Sequence, residues 1–300
     1  MSALRHFLDR LDLDPLAPGV FGDPGGEEGL ERIFGGQVAA QALAAMGRTV
    51  DADKAVHHLH VEFVRPPRAS APLRLEVGVV KDGRAFALRR VEAAQGGVPV
   101  LTATASFHRA EAGPVRLPAG EPPEPIAPRW EDRFAGRRHR LSPLWDRPRP
   151  IDFRYLDPAP LDDTLRQHPR DGQSAVLRAD GALPDDPLIH ACTAVYASDM
   201  TLLETALLPL GEVWADGDTD GASLNHTMWF HRPFRMDRWV RYDQRAEALA
   251  GGRGLASGRM FDDSGELVAT VLQEGSLRPA HGAGTWLARS APDRTLRRAT

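Results

Sequence analysis

The stretch NHTMWFHRPFR, residues 225–235, repeats the outline of HLHVEFVRPPR, residues 58–68. Both stretches contain an Arg-Pro pair, at residues 65–66 and 232–233, and similar text follows each of them. The identity between the two regions is weak, but the matching residues keep a consistent order. Self-similarity of this kind indicates an internal duplication. We therefore expect two similar halves within the 300 residues of the chain.

Each half combines strand patterns with one conspicuous helix. Leu59, Val61 and Phe63 alternate with polar residues, and this period of two is typical of half-buried antiparallel strands. Segments 35–47 and 190–211 predict one long helix before the strands of each half. A helix followed by several antiparallel strands, twice over, favours an α+β fold over the alternating βαβ units of a parallel sheet.

A proline-rich segment separates the two halves. Residues 111–150 contain PVRLPAGEPPEPIAPRW and RPRP, and proline at this density disfavours both helices and central strands. A loop of this length is unusual inside one compact domain. The sequence therefore predicts an N-terminal unit at 1–110, a linker at 111–150, a C-terminal unit at 151–280 and a flexible tail at 281–300.

Composition and charge exclude several classes of protein. The net charge of −4 argues against a nucleic-acid partner. Cys192 is the only cysteine, which excludes an intramolecular disulfide and a cysteine-cluster metal site. His57, His58 and His60 lack an evident third ligand, so we predict neither a metal site nor a cofactor. No apolar run reaches the roughly 18 residues of a membrane span, and the N-terminus does not resemble a signal peptide, so we expect a cytoplasmic protein.

Three polar residues interrupt apolar patterns or open a strand. Asp199 lies on an apolar helical stripe between Val195 and Leu202, where an unpaired carboxylate would be costly. Gln273 ends an inward-facing row of a strand with a carboxamide, and Ser223 opens the strand before the His-Arg-Pro run. Each residue also fits a structural role: a carboxylate reaching solvent, a strand end entering water, or a turn serine. The pattern alone leaves both interpretations open.

Six motifs occur in the order LERIFGGQVAAQAL, KDGRAFALRRV, LTATASFH, YASDMTLL, MWFHRPF and VLQEG. As a set they resemble the bacterial acyl-CoA thioesterase II family, from about residue 5 to about residue 280. The resemblance implies a double hot-dog fold, in which two helix-wrapped antiparallel β-sheet repeats lie in one chain. The two predicted units would then be an N-terminal hot-dog and a C-terminal hot-dog that carries the catalytic residues.

The family hydrolyses acyl-CoA thioesters with an activated water and without a covalent intermediate. The resemblance implies that Asp199, Ser223 and Gln273 hold this water. Many relatives have Thr in place of Ser223 and Asp in place of Asn225. The serine keeps the hydroxyl, whereas Asn225 removes a charge and leaves the pH profile open. We expect burial in an apolar groove to raise the pKa of Asp199 and make it a better base.

Four further residues are candidates for substrate binding. Gly36 and Gln37 stand at the start of the first long helix, as oxyanion or scaffold elements, and glycine there permits the close approach of a backbone or a ligand. Arg84 and Arg232 could meet CoA phosphates because the Arg fork suits phosphate, with solvated surface arginines as the alternative. The resemblance also implies one active site per chain and assembly into a homo-oligomer, either a dimer or a tetramer.

Three functions are compatible with this scaffold. The first is hydrolysis of medium- or long-chain acyl-CoA to free fatty acid and CoA, and the second is non-catalytic binding of acyl-CoA or another lipid. The third is dehydratase or hydratase chemistry, which usually needs a histidine acid/base pair. His190 lies too far upstream in the second helix to supply it. The intact set of Asp199, Ser223 and Gln273 favours hydrolysis.

Overall fold

The computed structural model describes residues 2–25, 29–124, 127–129, 147–157, 164–214 and 219–280. The helices in these ranges are α1 (Ala3–Leu11), α2 (Gly35–Gly47), α3 (Thr164–Gln167), α4 (Pro187–Ser198) and α5 (Leu202–Thr205), followed by a 3₁₀ turn at Leu208–Leu210. The strands of the first half are β1 (Asp14–Ala17), β2 (Val20–Asp23), β3 (Lys54–Phe63), β4 (Leu73–Asp82), β5 (Phe86–Gln95) and β6 (Val98–Arg109). Those of the second half are β7 (Ile151–Tyr155), β8 (Gly172–Ala179), β9 (Thr219–Phe230), β10 (Val240–Ala250), β11 (Arg253–Phe261) and β12 (Leu267–Pro279).

The strands form one twelve-stranded antiparallel sheet in the order β1-β2-β4-β5-β6-β3-β9-β12-β11-β10-β8-β7. The two halves meet at β3 and β9, where His58 pairs with Trp229 and Glu62 pairs with Asn225. Outward from this junction, β3, β6, β5 and β4 in the first half correspond to β9, β12, β11 and β10 in the second. The equivalent strand order confirms the duplication that the repeated text predicts.

The two long helices, α2 and α4, pack against each other in opposite directions. Gly36 at the start of α2 faces Tyr196 near the end of α4, and Gly47 at the end of α2 faces Leu188 at the start of α4. All residues from Gly36 to Met46 in α2 are buried, as are all those from His190 to Ser198 in α4. Helices that are enclosed on every side have to be apolar nearly all round. The stripe seen in the sequence of α4 is therefore only part of its buried surface.

The prediction of one continuous helix at 190–211 is wrong. Helix α4 ends at Ser198, and α5 begins after a short break. The Tyr242 phenol on β10 donates a hydrogen bond to Ser198 O at 3.2 Å, and a glutamine of the same strand donates to the Thr201 hydroxyl at 2.6 Å. These bonds to β10 satisfy polar groups of the interrupted turn. Asp199 is consequently the first residue beyond the helix rather than part of a continuous stripe.

The predicted linker is described only in part. Its described residues form no helix or strand apart from an isolated bridge between Ala119 and Glu266. Residues 130–146 and the predicted tail at 281–300 lie outside the described residues. The domain boundaries therefore stay a prediction.

Candidate active site

Three polar side chains from distant parts of the chain converge at one point. Gln273 Nε2 lies 2.5 Å from Asp199 Oδ1 and 2.9 Å from Ser223 Oγ. The carboxamide donates a hydrogen bond to each oxygen, so one amino group bridges the carboxylate and the hydroxyl. The structure thus brings together the three residues to which the resemblance gives the catalytic roles.

Gln273 is fully buried within β12. The apolar residues that precede it on the same face are also buried, namely Leu267, Ala269 and Val271. This confirms the inward-facing row, but Gln273 does not emerge into water, because β12 continues to Pro279. A buried carboxamide needs hydrogen-bond partners, and Asp199 and Ser223 supply them.

A β-bulge turns Ser223 toward this point. Strand β9 starts at Thr219, earlier than the start predicted at Ser223, and its register with β12 shifts between Ser223 and Asn225. Strict alternation would put Ser223 on the face opposite the buried His226. One extra residue in β9 reverses that alternation locally, as bulges do. The hydroxyl therefore reaches the face on which Gln273 lies.

Asp199 is enclosed by protein and keeps only part of its surface accessible. Removal from bulk water raises the pKa of its carboxyl to about 7, and hydrogen bonds from Gln273 and from Gly36 N–H offset part of that rise. The direction agrees with the expectation from the apolar pattern. A carboxylate with this pKa is a stronger base than an ordinary aspartate and is still substantially ionised at neutral pH.

The N-terminus of α2, from the first half of the chain, completes the site. Gly36 N–H donates to Asp199, and a Cβ on Gly35 would lie 3.0 Å from Asp199 Oδ2. A Cβ on Gly36 would lie 2.7 Å from the Phe34 ring and 2.9 Å from Tyr196 O. Glycine is what allows the helix to approach so closely. The positive end of the α2 dipole thereby lies beside the carboxylate and favours its ionised form.

Comparison with known proteins agrees with this geometry. Residues 25–108 match the family described as acyl-CoA thioesterase N-terminal domain, and residues 154–276 match the acyl-CoA thioesterase family. Acyl-coenzyme A thioesterase 8 from Homo sapiens is 34% identical over 285 residues, which cover 89% of this chain and 87% of that protein. The crystal structure of acyl-CoA thioesterase II TesB2 from Mycobacterium marinum is 33% identical, with a TM-score of 0.75 over 93% of this chain and 99% of that one. The chain belongs to the acyl-CoA thioesterase II family.

The thioesterase is a thioester hydrolase by this homology, and its fold is the predicted α+β double hot-dog. A protein of unknown function with a hot-dog fold from Alicyclobacillus acidocaldarius is 19% identical, with a TM-score of 0.71 over 91% of this chain and 98% of that one. At that identity the likeness concerns the fold alone. No helix in the described ranges combines the length and the apolar content needed to cross a bilayer.

Replacing Gly36 by alanine is expected to damage both the fold and the activity of the thioesterase. The new Cβ would collide with the Phe34 ring and with Tyr196 O, and overpacking of this kind costs about 1–3 kcal/mol of unfolding free energy. The helix would also move away from Asp199, so kcat should fall. Denaturant unfolding and a thiol-release assay measure the two effects.

Gly47→Ala is the matched control, at the other end of the same helix. The three atoms nearest to its Cβ would be side-chain carbons of Leu188, the first at 2.6 Å, and this flexible group can move. We expect some loss of stability and an unchanged kcat. Equal kcat losses in the Gly36 and Gly47 variants would contradict a specific role for the Gly36 contact.

Among the predicted substrate-binding residues, Gly36 contacts the carboxylate itself rather than an open surface. Gln37 is buried next to it, and Gln37 Nε2 has no hydrogen-bond partner among the described residues. A buried donor without a partner is available to a ligand that brings an acceptor. The assignment of Gln37 to substrate binding stays a prediction.

The structure does not bring the two predicted arginines to the three converging side chains. Arg84 is exposed in the turn between β4 and β5. Strand β5 begins two residues later, and its first residue lies about 20 Å along the strand from Glu92, which is level with Asn225 in the sheet. Arg232 lies beyond the opposite end of β9 from Ser223 and forms an ion pair with Glu266. Its guanidinium is therefore engaged by a carboxylate of the chain itself. CoA phosphate binding by either arginine stays a prediction.

The positions of the first half that are equivalent to Ser223 and Gln273 carry apolar side chains. By the repeat, Ser223 corresponds to Val56 and Gln273 to Ala105. Strand β3 keeps a register shift next to Val56, and Ala105 pairs with Leu59 as Gln273 pairs with His226. The duplicated frame is thus retained with apolar side chains, which agrees with one catalytic set per chain.

Sequence patterns missed His226 and Ser198, two buried polar residues beside the site. His226 Nε2 lies 2.9 Å from Ser198 Oγ. The alternation of His226 with the buried Met228 and Phe230 is the signal that could have placed it inward. Asn225 points elsewhere, and its Oδ1 accepts a hydrogen bond from the backbone N–H of Glu274 at 3.3 Å.

Proposed function

We propose that the thioesterase hydrolyses medium- and long-chain acyl-CoA with a water activated by Asp199, Ser223 and Gln273. The observation that carries the proposal is the convergence of the three side chains, with Gln273 Nε2 at 2.5 Å from Asp199 and 2.9 Å from Ser223. Non-catalytic binding of acyl-CoA would not need a buried carboxyl group whose pKa is raised to about 7. A thiol-release assay over a series of acyl chain lengths separates the two functions.

The reaction assigns a separate task to each group. Water attacks the thioester carbonyl carbon while Asp199 takes its proton, so that a C–O bond forms. The tetrahedral intermediate collapses with cleavage of the C–S bond, and the CoA sulfur leaves with that proton. Ser223 and Gln273 orient the water and the base, which lowers the entropic cost of attack. The positive end of α2 lies beside Asp199, where its field favours negative charge that develops in the site.

Apolar side chains around the converging groups suit an acyl tail. The Phe63 ring would lie 3.2 Å from a Cβ on Gly35, and Leu203 packs against Gly275 next to the bulge. Burial of an alkyl chain on such surfaces contributes about 0.8 kcal/mol per methylene. His190, which the sequence places too far upstream for dehydratase chemistry, accepts a hydrogen bond from Met236 N–H at the other end of α4.

The pH dependence of the reaction provides a direct test. Asp199 acts as a base only when ionised, and its pKa is raised to about 7 by burial. We expect kcat/KM to fall below neutrality, with an acid limb centred near pH 7, and to level off above it. Chromatographic quantification of released CoA measures the profile without a pH-sensitive thiol reagent. An acid limb near pH 4, the range of an ordinary aspartate, would contradict the raised pKa of Asp199, and the Asp199→Asn variant then tests its role as the base separately.

A further inference from the structure

A buried histidine–serine pair lies behind Gln273. His226 on β9 is the register partner of Gln273 on β12, and both side chains are fully buried. Side chains paired directly across antiparallel strands lie close enough to interact. On its far side, His226 Nε2 lies 2.9 Å from Ser198 Oγ. Ser198, His226 and Gln273 thus form a line that ends at Asp199.

One atom of His226 and one atom of Gln273 in this line could satisfy each other as hydrogen-bond donor and acceptor. His226 Nδ1 and Gln273 Oε1 are buried, and neither forms a hydrogen bond of ordinary geometry among the described residues, although the Gln273 side chain lies close enough to His226 to offset part of the fall in its pKa. Burial lowers the pKa of His226 to about 4, so the imidazole is neutral at working pH and carries a single N–H. An N–H on Nδ1 would satisfy both atoms, because a carboxamide oxygen can only accept.

The direction of the Gln273 carboxamide needs a group that holds it. Its amino group has to face Asp199 and Ser223 in the active arrangement. With a pKa of about 7, Asp199 is partly protonated at neutral pH, and its proton could bond to a reversed carboxamide equally well. The Ser223 hydroxyl can donate or accept. Neither partner therefore determines which end of the carboxamide faces the base.

The Ser198 hydroxyl decides which nitrogen of His226 carries the proton. It lies 3.0 Å from Val195 O and 2.9 Å from His226 Nε2, and its one hydrogen can bond to either. When it donates to Nε2, the imidazole proton is on Nδ1 and faces Gln273 Oε1. When it donates to Val195 O, its oxygen accepts a hydrogen bond from Nε2–H instead. Nδ1 then carries no proton, and it faces Gln273 Oε1 as a second acceptor. Only the first arrangement is compatible with an ionised Asp199.

We propose that His226 is a positioning residue for the reaction, which holds the Gln273 carboxamide with its amino group toward Asp199 by donating from Nδ1–H to Oε1. The inference rests on the proposed function, since His226 acts only through Gln273. Among the described residues, the titratable groups that contact this line are Asp199 and Tyr242, and burial raises the pKa of Tyr242 so that its phenol stays protonated. On the β3 side, the neighbour of His226 is the apolar Val61.

Two His226 variants test the inference. His226→Leu removes the donor, and we expect kcat to fall about ten-fold, the cost of one lost hydrogen bond, with KM within about two-fold of wild type. The acid limb of the pH profile should also move upward, because Gln273 N–H would no longer lower the pKa of Asp199. His226→Asn keeps an N–H donor near the position of Nδ1 and should recover much of the activity.

A double-mutant cycle separates positioning from mere packing. In a Gln273→Met background, His226→Leu is expected to cause no further loss of kcat, because the group that it orients is gone. Equal losses in both backgrounds, an unmoved acid limb, or a folded His226→Leu enzyme with wild-type kcat would overturn the inference. If Gln273→Met alone has wild-type kcat, the proposed catalytic set itself is wrong, which is a distinguishable outcome.

Ser198→Ala keeps the test decisive if His226→Leu does not fold. This change leaves the imidazole in place and removes only the donor to Nε2. We expect a smaller upward shift of the acid limb and a partial loss of kcat. An unchanged pH profile in folded Ser198→Ala would count against the proposed line of hydrogen bonds.

Discussion

Asp199→Asn is expected to lower kcat for acyl-CoA hydrolysis by about 10²–10⁴-fold, because an amide cannot take the proton of the attacking water. Asparagine has nearly the same shape, and its one amide oxygen can still accept the hydrogen bond from Gln273. The fold should therefore be retained. Thiol release at saturating substrate measures kcat, and circular dichroism checks the fold.

The same variant should be more stable than wild type at alkaline pH. The pKa of Asp199 is about 7 in the folded chain and 3.8 in the unfolded reference, so the folded state binds more protons between these values. The contribution of Asp199 to stability therefore falls as pH rises from about 4 to 7. The unfolding temperature of Asp199→Asn should exceed that of wild type at pH 8, and the gap should narrow toward pH 4.

Asp237→Asn is the matched control, because Asp237 is a largely buried carboxylate near the other end of α4. It pairs with Arg235 at 2.8 Å and accepts from Leu183 N–H. We expect lower stability and wild-type kcat in this variant. Comparable kcat losses in the Asp199 and Asp237 variants, or a wild-type rate in folded Asp199→Asn, would refute the assignment of the base.

Gln273→Ala is expected to lower kcat by about 10²-fold, because it removes the donor that orients both the base and the hydroxyl. The pKa of Asp199 should rise further, since the hydrogen bond from Gln273 is one of the two that lower it. The acid limb of the kcat/KM profile would then move to higher pH. Released CoA, quantified across the pH range, reports both effects.

Gln95→Ala provides the comparison for this loss. Gln95 is a buried carboxamide of the first half that accepts from Arg68 N–H and donates to Arg68 O and Ala71 O. Its removal should lower the unfolding free energy and leave kcat and the acid limb unchanged. A Gln273→Ala enzyme that behaves like Gln95→Ala would show that Gln273 is only structural.

The periodicity of apolar residues was sufficient to predict most elements of the fold. The first long helix was predicted at 35–47 and lies at Gly35–Gly47, because a run of alanines and apolar residues without proline has few alternatives. The second was predicted to continue to residue 211 but ends at Ser198. Leucine and threonine after Asp199 are compatible with a helix, and the break depends on hydrogen bonds from β10, which no local pattern contains.

The candidate site likewise combines features that follow from the pattern of one element with features that depend on contacts between elements. The inward direction of Gln273 follows from alternation along β12, whereas that of Ser223 depends on a bulge that reverses the alternation. The contact of α2 with Asp199 joins the two halves of the chain. The ion pair between Arg232 and Glu266 could not be predicted from the sequence either, because the sequence does not show which opposite charge lies next to a given side chain in the fold.

The sequence by itself determined a duplicated α+β chain, its first long helix and the inward side of its last strand, since these follow from spacing along one element. Only the tertiary structure decided that Asp199, Ser223 and Gln273 share one point, that the helix of the other half supplies Gly36, and that Arg232 is paired elsewhere. The physical reason is that hydrogen bonds and ion pairs depend on distances of about 3 Å between elements, which strand register and helix packing establish.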